Sequence, residues 1–147
     1  MNEVLVLDAS VIAKLIANEP GSAIAERLFA DERFSFIIPG HALAEVCEAV
    51  CRKIRKGEAV ERQLTVSLFP LSRAFETISI ERLVEPSMRL SLDHGISFYD
   101  ALYVALAVER NVRLLTEDTK LCRAFAATKL ERRLVSLASI ALQLNWA

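Results

Sequence analysis

Short apolar runs alternate with amphipathic segments along the whole chain. Apolar runs bounded by turn residues predict strands at 4–7, 34–38, 77–80, 112–115 and 134–136. Apolar residues at helical spacing predict helices at 11–17, 22–29, 41–55, 59–69, 81–94, 97–110 and 119–127, the last being the final full helix. Strands that alternate with helices form parallel sheets covered on both faces. We therefore expect a single α/β/α sandwich with a central, mostly parallel sheet over residues 1–147.

The composition fits a folded domain. The chain has 147 residues, of which 53% are hydrophobic, and its net charge is −1. No uncharged stretch approaches the roughly 20 apolar residues of a membrane span, and the N-terminus lacks the pattern of a secretory signal. We expect a cytoplasmic protein without membrane association. The balanced charge gives no general attraction for nucleic acid, although a local basic rim would serve a nucleic-acid enzyme.

The cysteines and histidines do not form a recognisable metal or disulfide pattern. Cys47, Cys51 and Cys122 are odd in number and lack CxxC spacing, so we expect reduced core residues. The only histidines are His41 and His94, which we assign to helix ends or the surface. A zinc site is not expected.

Four acidic residues occupy positions where a carboxylate is hard to explain by packing alone. Asp8 and Asp118 lie just past the ends of predicted buried strands, where α/β proteins place their ligands. Asp100 interrupts the apolar start of a helix that can reach the same sheet edge, and Glu45 lies on the long helix 41–55. Converging carboxylates repel each other unless a cation neutralises them. Oxygen ligands suit Mg²⁺ or Mn²⁺, which mostly serve phosphate chemistry.

Each acid also has a purely structural explanation. Asp8 and Asp118 can cap the helices that follow them, and Asp100 can complete a capping box with Ser97. Glu45 can lie on a solvated helix face opposite the apolar stripe. The joint placement of three acids at one predicted sheet edge favours the metal site.

Two hydroxyl residues stand beside the acids that end strands. Ser10 follows Asp8, and Thr116 precedes Asp118, each at a distance of two residues. Either hydroxyl can hold a metal-bound water or orient a carboxylate. Local bonding to the backbone of a turn is the alternative for each.

Four short motifs occur in order: Val-Leu-Asp8-Ala-Ser10-Val, Ala-Glu45-Val, Tyr-Asp100-Ala-x-Tyr-Val-Ala-Leu-Ala and Leu-Leu-Thr116-x-Asp118. In order and spacing they resemble the PIN-domain ribonucleases, most of all the VapC-type toxins of bacterial and archaeal toxin–antitoxin pairs. The resemblance covers essentially the whole chain. It implies an Mg²⁺- or Mn²⁺-dependent endoribonuclease with the four acids around the metal. It also implies a homodimer and a small cognate antitoxin.

The chain departs from the family pattern at one position. Members commonly carry Asn three residues after the helical glutamate, where this chain has Glu48. Glu48 either adds a fifth acid near the site or points outward toward Arg52.

The resemblance leads to a mechanistic hypothesis in which one or two ions activate water for attack on an RNA phosphodiester. Two basic sets could contact phosphates or be ordinary solvated charge. The first comprises Arg52, Lys53, Arg55 and Lys56, and the second comprises Lys120, Arg123, Lys129, Arg132 and Arg133. The helix 59–69 offers an apolar set for the protein's own core, a second subunit or the antitoxin. This set is Val60, Leu64, Val66, Leu68 and Phe69.

Other readings of the acids are weaker. A response-regulator receiver needs an adjacent acidic pair after its first strand and a late lysine. An aspartate-nucleophile phosphatase needs a second acid where this chain has Ser10. The stronger rival is a PIN-fold protein that binds RNA or an antitoxin with little or no catalysis.

Overall fold

The computed structural model describes residues 2–146, apart from the side chain of Phe69, and contains a five-stranded parallel sheet. The spatial order of the strands is β3-β2-β1-β4-β5, which places β1 at the centre. The strands are β1 (Glu3–Leu7), β2 (Phe34–Pro39), β3 (Glu76–Ile78), β4 (Arg113–Leu115) and β5 (Leu134–Val135).

Helices flank this sheet in two groups. They are α1 (Ala9–Ile16), α2 (Ser22–Phe29), α3 (Ala42–Arg55), α4 (Glu61–Ala74), α5 (Val84–His94), α6 (Phe98–Arg110), α7 (Thr119–Ala124) and α8 (Leu137–Gln143). Helix α6 packs along β1, β2 and β4 and against α5, whereas α1 packs against α2, α3 and α4. The α/β sandwich predicted from the sequence pattern is confirmed. Within residues 2–146, no helix has the length and apolar character needed to cross a membrane.

The central strands bring two distant parts of the chain together at one edge. Leu7 is paired with Leu115 at the carboxyl ends of β1 and β4. Beyond that pair, the Asp8 amide donates to the Leu115 carbonyl at 3.0 Å, and the Thr116 amide donates to the Val135 carbonyl at 2.9 Å. The residues that follow β1 and β4 are therefore neighbours, as expected for adjacent parallel strands.

Helix α4 corrects the predicted helix 59–69. It continues through Pro70 to Ala74, although an interior proline removes a backbone hydrogen bond and costs about 3 kcal/mol. Leu71 is buried, and so is Phe75 at the helix end. Burial of these side chains offsets the proline, which a local pattern does not reveal.

The C-terminal region also differs from the prediction. Helix α7 ends at Ala124, because Phe125 leaves helical geometry, so the predicted helix 119–127 was too long. A further helix, α8, follows β5 and was missed. Ser136 caps it and accepts a hydrogen bond from the Ser139 amide. Leu137 and Ile140, one turn apart, are buried and supply the signal that could have predicted this helix.

Three smaller expectations change. Strand β3 spans Glu76–Ile78 rather than 77–80, and the predicted helix 81–94 begins as a 3₁₀ turn before α5. Cys47, Cys51 and Cys122 are unpaired, as expected, but are only half-buried and therefore not core residues.

Candidate active site

Asp8 is a buried carboxylate at the start of α1. It caps the helix weakly, accepting from the Ser10 amide at 3.4 Å, and is only 6% exposed. The hydroxyls of Ser10 and Thr116 donate to its Oδ2 at 2.5 and 2.9 Å. Burial raises the pKa of Asp8, the two hydroxyl hydrogen bonds lower it, and the charge of Glu45 raises it further, with a net increase.

The same two hydroxyls also accept hydrogen bonds from the loop after β4. The Glu117 amide donates to Ser10 Oγ, and the Asp118 amide donates to Thr116 Oγ1, both at 3.1 Å. Each hydroxyl thus donates a hydrogen bond to Asp8 and accepts one from a backbone amide of this loop. Both hydroxyls donate to Asp8, as the carboxylate-orienting interpretation expects. Local bonding within a turn holds for Thr116 only, because the backbone partner of Ser10 is Glu117, 107 positions along the chain.

Asp118 caps α7 with one of its carboxylate oxygens. Its Oδ1 accepts from the Lys120 amide at 3.0 Å and the Leu121 amide at 3.1 Å. No hydrogen bond to Oδ2 occurs within residues 2–146. Helix capping therefore uses Oδ1 of Asp118 and leaves Oδ2 available.

Asp100 lies in the first turn of α6, which Ser97 caps by accepting from the Asp100 amide at 3.0 Å. The pKa of Asp100 is raised to about 6, mainly by burial, while a hydrogen bond from Ser97 opposes the increase. The negative charges of Asp8, Asp118 and Glu45 raise it further. The charges of the other three acids therefore act on Asp100, and the four carboxylates share one electrostatic environment.

Glu45 faces this cluster from α3. Its Oε1 lies 2.9 Å from Nε2 of His41, one helical turn earlier, and its side chain is 34% exposed. Burial raises the pKa of the Tyr103 hydroxyl, and the charges of Asp8 and Glu45 raise it further. Of the two alternatives for Glu45, the structure favours the one in which it faces the cluster, because its neighbour His41 contacts Tyr99 and Tyr103 of α6.

His41 and Tyr103 are residues of this region that sequence reasoning missed. His41 lies at the N-terminal end of α3, in agreement with the helix-end assignment, but its side chain is only 10% exposed and its ring lies 4.7 Å from that of Tyr103, so it is not a surface residue. His41 is four residues before Glu45, and Tyr103 is three after Asp100. Helical spacing from the two acids could have found both. His94, at the end of α5, packs on Phe125 instead.

Glu48 points away from the cluster. Its side chain is 60% exposed and forms ion pairs with Arg55 at 3.2 Å and Arg52 at 4.0 Å. Of the two alternatives left open by the sequence, the structure favours the outward one. The extra acid at this position does not enlarge the carboxylate cluster.

Some residues of the two predicted basic sets form contacts within the protein. Lys53 pairs with Glu19, and Arg133 donates to Asn111 Oδ1 and the Val112 carbonyl. Five exposed members form no ion pair within residues 2–146, and four of them belong to the second set. They are Lys56, Lys120, Arg123, Lys129 and Arg132.

The chemistry of the acids fits a divalent cation. No Lys or Arg of the described residues forms an ion pair with Asp8, Asp100 or Asp118. The repulsion among these carboxylates is therefore not offset by a positively charged side chain. All the donor atoms are oxygens, as Mg²⁺ and Mn²⁺ prefer. Among residues 2–146, no three acidic, histidine or cysteine side chains already stand in ligating geometry. An ion here would require side-chain rotation or bridging water.

The sequence is similar to those of known proteins. The family model for the PIN domain matches residues 5–126. Ribonuclease VapC3 of Pyrobaculum aerophilum is 32% identical over 126 residues, covering 84% of this chain and 95% of that protein. Ribonuclease VapC1 of Mycobacterium tuberculosis is 36% identical over 121 residues, covering 81% of this chain and 89% of that protein.

Solved structures share the fold. A crystal structure of a Pyrobaculum aerophilum protein superposes with a TM-score of 0.74 at 20% identity, covering 99% of this chain and 91% of that one. A chain from a toxin–antitoxin complex of Klebsiella pneumoniae gives a TM-score of 0.61 at 19% identity, with coverages of 90% and 97%. At these identities the structural likeness shows the fold alone.

Proposed function

The chain belongs to the PIN-domain family, and on this premise we propose that it is a divalent-metal-dependent endoribonuclease, the toxin of a toxin–antitoxin pair. Two relatives that it matches over more than 80% of its length are named ribonucleases. The observation that carries the proposal is the convergence of four carboxylates, in which Asp8 and the loop of Asp118 are joined through the Ser10 and Thr116 hydroxyls. The charges of Asp8, Asp118 and Glu45 also contribute to the raised pKa of Asp100. Such an uncompensated acidic cluster at the carboxyl edge of a parallel sheet suits a cation that binds phosphate.

In this proposal Asp8, Glu45, Asp100 and Asp118 hold Mg²⁺ or Mn²⁺. Asp8 and Asp118 each use one oxygen for hydrogen bonds within the protein, and the other oxygen remains for the ion. When bound, the ion supplies an activated water and neutralises charge on the scissile phosphate. Ser10 and Thr116 fix the orientation of Asp8 by donating to its Oδ2.

The substrate in this proposal is single-stranded or loop RNA. Lys120 and Arg123 follow Asp118 on α7 and are exposed, so they can contact phosphates at the rim of the acidic cluster. Tyr99 precedes Asp100 and is 60% exposed, which is unusual for a large aromatic side chain. An exposed ring at this position offers a stacking surface for an unpaired base.

Two protein partners are also part of the proposal, a cognate antitoxin and a second copy of the chain. The comparison with a toxin–antitoxin complex supports the first of these. Val60 and Val66 on α4 are about 60% exposed, whereas Leu64 and Leu68 pack against the core. A second exposed apolar row on α5 consists of Val84, Met88 and Leu92. Both surfaces are available to partners, and RNA cleavage would take place in the cytoplasm.

The test is cleavage of a mixed-sequence single-stranded RNA by purified protein in Mn²⁺. EDTA and the Asp100→Asn variant are expected to abolish cleavage. A well-folded, inhibitor-free protein that binds RNA but does not cleave it would favour the rival function, a PIN-fold binding module. RNA affinity that survives both Asp8→Asn and Asp100→Asn would support the same conclusion.

A further inference from the structure

His41 lies between two elements that carry acids of the cluster. Its Nε2 lies 3.0 Å from the Tyr99 carbonyl at the start of α6 and 2.9 Å from Glu45 Oε1 on α3. The Tyr99 carbonyl belongs to the residue directly before Asp100. One ring nitrogen therefore connects the helix of Glu45 with the helix of Asp100.

The two neighbours of Nε2 determine where its hydrogen is. A carbonyl and a carboxylate oxygen are both acceptors, so a bare Nε2 lone pair would repel each of them. Nε2 must therefore carry a hydrogen, which it donates to the Tyr99 carbonyl. Glu45 Oε1 lies beside this N–H group and has no hydrogen-bond partner within residues 2–146. The other ring nitrogen, Nδ1, is buried and has no hydrogen-bond partner within residues 2–146. Nothing in the described structure competes for the orientation of the ring.

Packing holds the imidazole in this orientation. The ring lies 4.7 Å from that of Tyr103, centroid to centroid, and 6.0 Å from that of Tyr99. The side chain is 10% exposed, so rotation of the ring would expose Tyr103 and break the hydrogen bond to the Tyr99 carbonyl. A buried polar nitrogen without a partner is uncommon and calls for a compensating role.

We infer that His41 is a positioning residue that holds Glu45 toward the carboxylate cluster and ties it to the start of α6. This inference rests on the proposed function, because Glu45 is there a ligand of the divalent ion. His41 itself is not a ligand in this account. Its positively polarised N–H group, 2.9 Å from Oε1, favours the rotamer of Glu45 that faces the cluster, as neighbouring polar groups orient ligands in metal sites.

Three substitutions separate this role from simple packing. In His41→Gln, the side-chain amide nitrogen takes the place of Nε2, and its two hydrogens can serve both acceptors. In His41→Asn the amide is too short and corresponds to Nδ1, and in His41→Ala the donor is lost. The readout is the binding of Mn²⁺ alone to the full metal-free chain, measured by electron paramagnetic resonance of free Mn²⁺.

His41→Asn and His41→Ala are expected to weaken Mn²⁺ binding about 10- to 100-fold, the usual effect of losing a group that orients a ligand. His41→Gln should stay within about threefold of the unaltered protein, because it restores the donor. In a Glu45→Ala background, His41→Ala should cause no additional loss, because it acts through Glu45. Equal loss in both backgrounds would mean a general structural effect and would overturn the inference.

The control variant Asp8→Asn separates failure of this inference from failure of the proposed function. Mn²⁺ binding that depends on Asp8 but is unchanged in all His41 variants would overturn the inference alone. No saturable binding by the unaltered chain would overturn the metal site of the proposed function together with the inference. Loss in His41→Gln equal to that in His41→Ala would also refute the donor role.

Discussion

Asp100→Asn is expected to stabilise the metal-free protein at neutral pH. The carboxylate is half-buried among three other acids, and its pKa is raised from 3.8 to about 6. The native state therefore binds a proton more readily than the unfolded chain does. The contribution of Asp100 to the free energy of unfolding therefore falls as pH rises from about 4 to about 6, and then stays level. Asn keeps the shape and an acceptor oxygen but carries no charge.

The expected gain follows from the size of the pKa shift. A difference of about two pKa units corresponds to about 3 kcal/mol at 1.36 kcal/mol per unit. Because the side chain is only half-buried, solvent screening reduces this to about 1–2 kcal/mol. Asp8, whose pKa is also raised, contributes in the same direction in both proteins.

The assay is urea unfolding in EDTA at pH 4 and pH 7.5. The stabilisation by Asp100→Asn should be present at pH 7.5 and close to zero at pH 4, where the native carboxyl is already protonated. Asp93→Asn, at an exposed position of α5, is the matched control and should change stability by less than about 0.5 kcal/mol at either pH. A gain of the same size at both pH values, or none at pH 7.5, would refute the electrostatic reasoning.

Further predictions concern the hydroxyls, the exposed ring and the interior proline. Thr116→Val removes a donor to Asp8 and should lower the free energy of unfolding, measured by urea titration, by about 1–3 kcal/mol. It should also weaken Mn²⁺ binding about tenfold. Unchanged Mn²⁺ affinity would argue against an orienting role of Thr116. Tyr99→Ala should raise KM for single-stranded RNA about tenfold with little change in kcat. The control Tyr99→Phe keeps the ring and should behave like the unaltered protein. A loss confined to kcat would contradict base stacking. Pro70→Ala should raise the free energy of unfolding by about 1–2 kcal/mol by restoring a helical hydrogen bond in α4. The control Pro86→Ala, in the first turn of α5 where no intrahelical donor is missing, should have little effect, and equal gains would point to the unfolded state instead.

Most of the element order followed from local patterns. The apolar run before Asp8 predicts β1, and the helical spacing of Leu43, Val46 and Val50 predicts α3. The helix boundaries were less secure, because they depend on contacts made far along the chain. Pro70 lies inside α4 because Leu71 reaches the core, and the residues next to Pro70 do not record that contact.

The sequence by itself determined that Asp8 and Asp118 would lie at the same edge of the sheet, because both follow parallel strands. It also determined the helix caps at Ser97 and Asp118, which depend only on residues within one turn. Only the tertiary structure decided that Glu45 faces the cluster while Glu48 faces Arg55. The two glutamates lie one turn apart on the same helix with similar neighbours in sequence. What distinguishes them is the contact of His41, directly before α3, with Tyr99 and Tyr103 of α6, which lie more than 50 positions further along the chain.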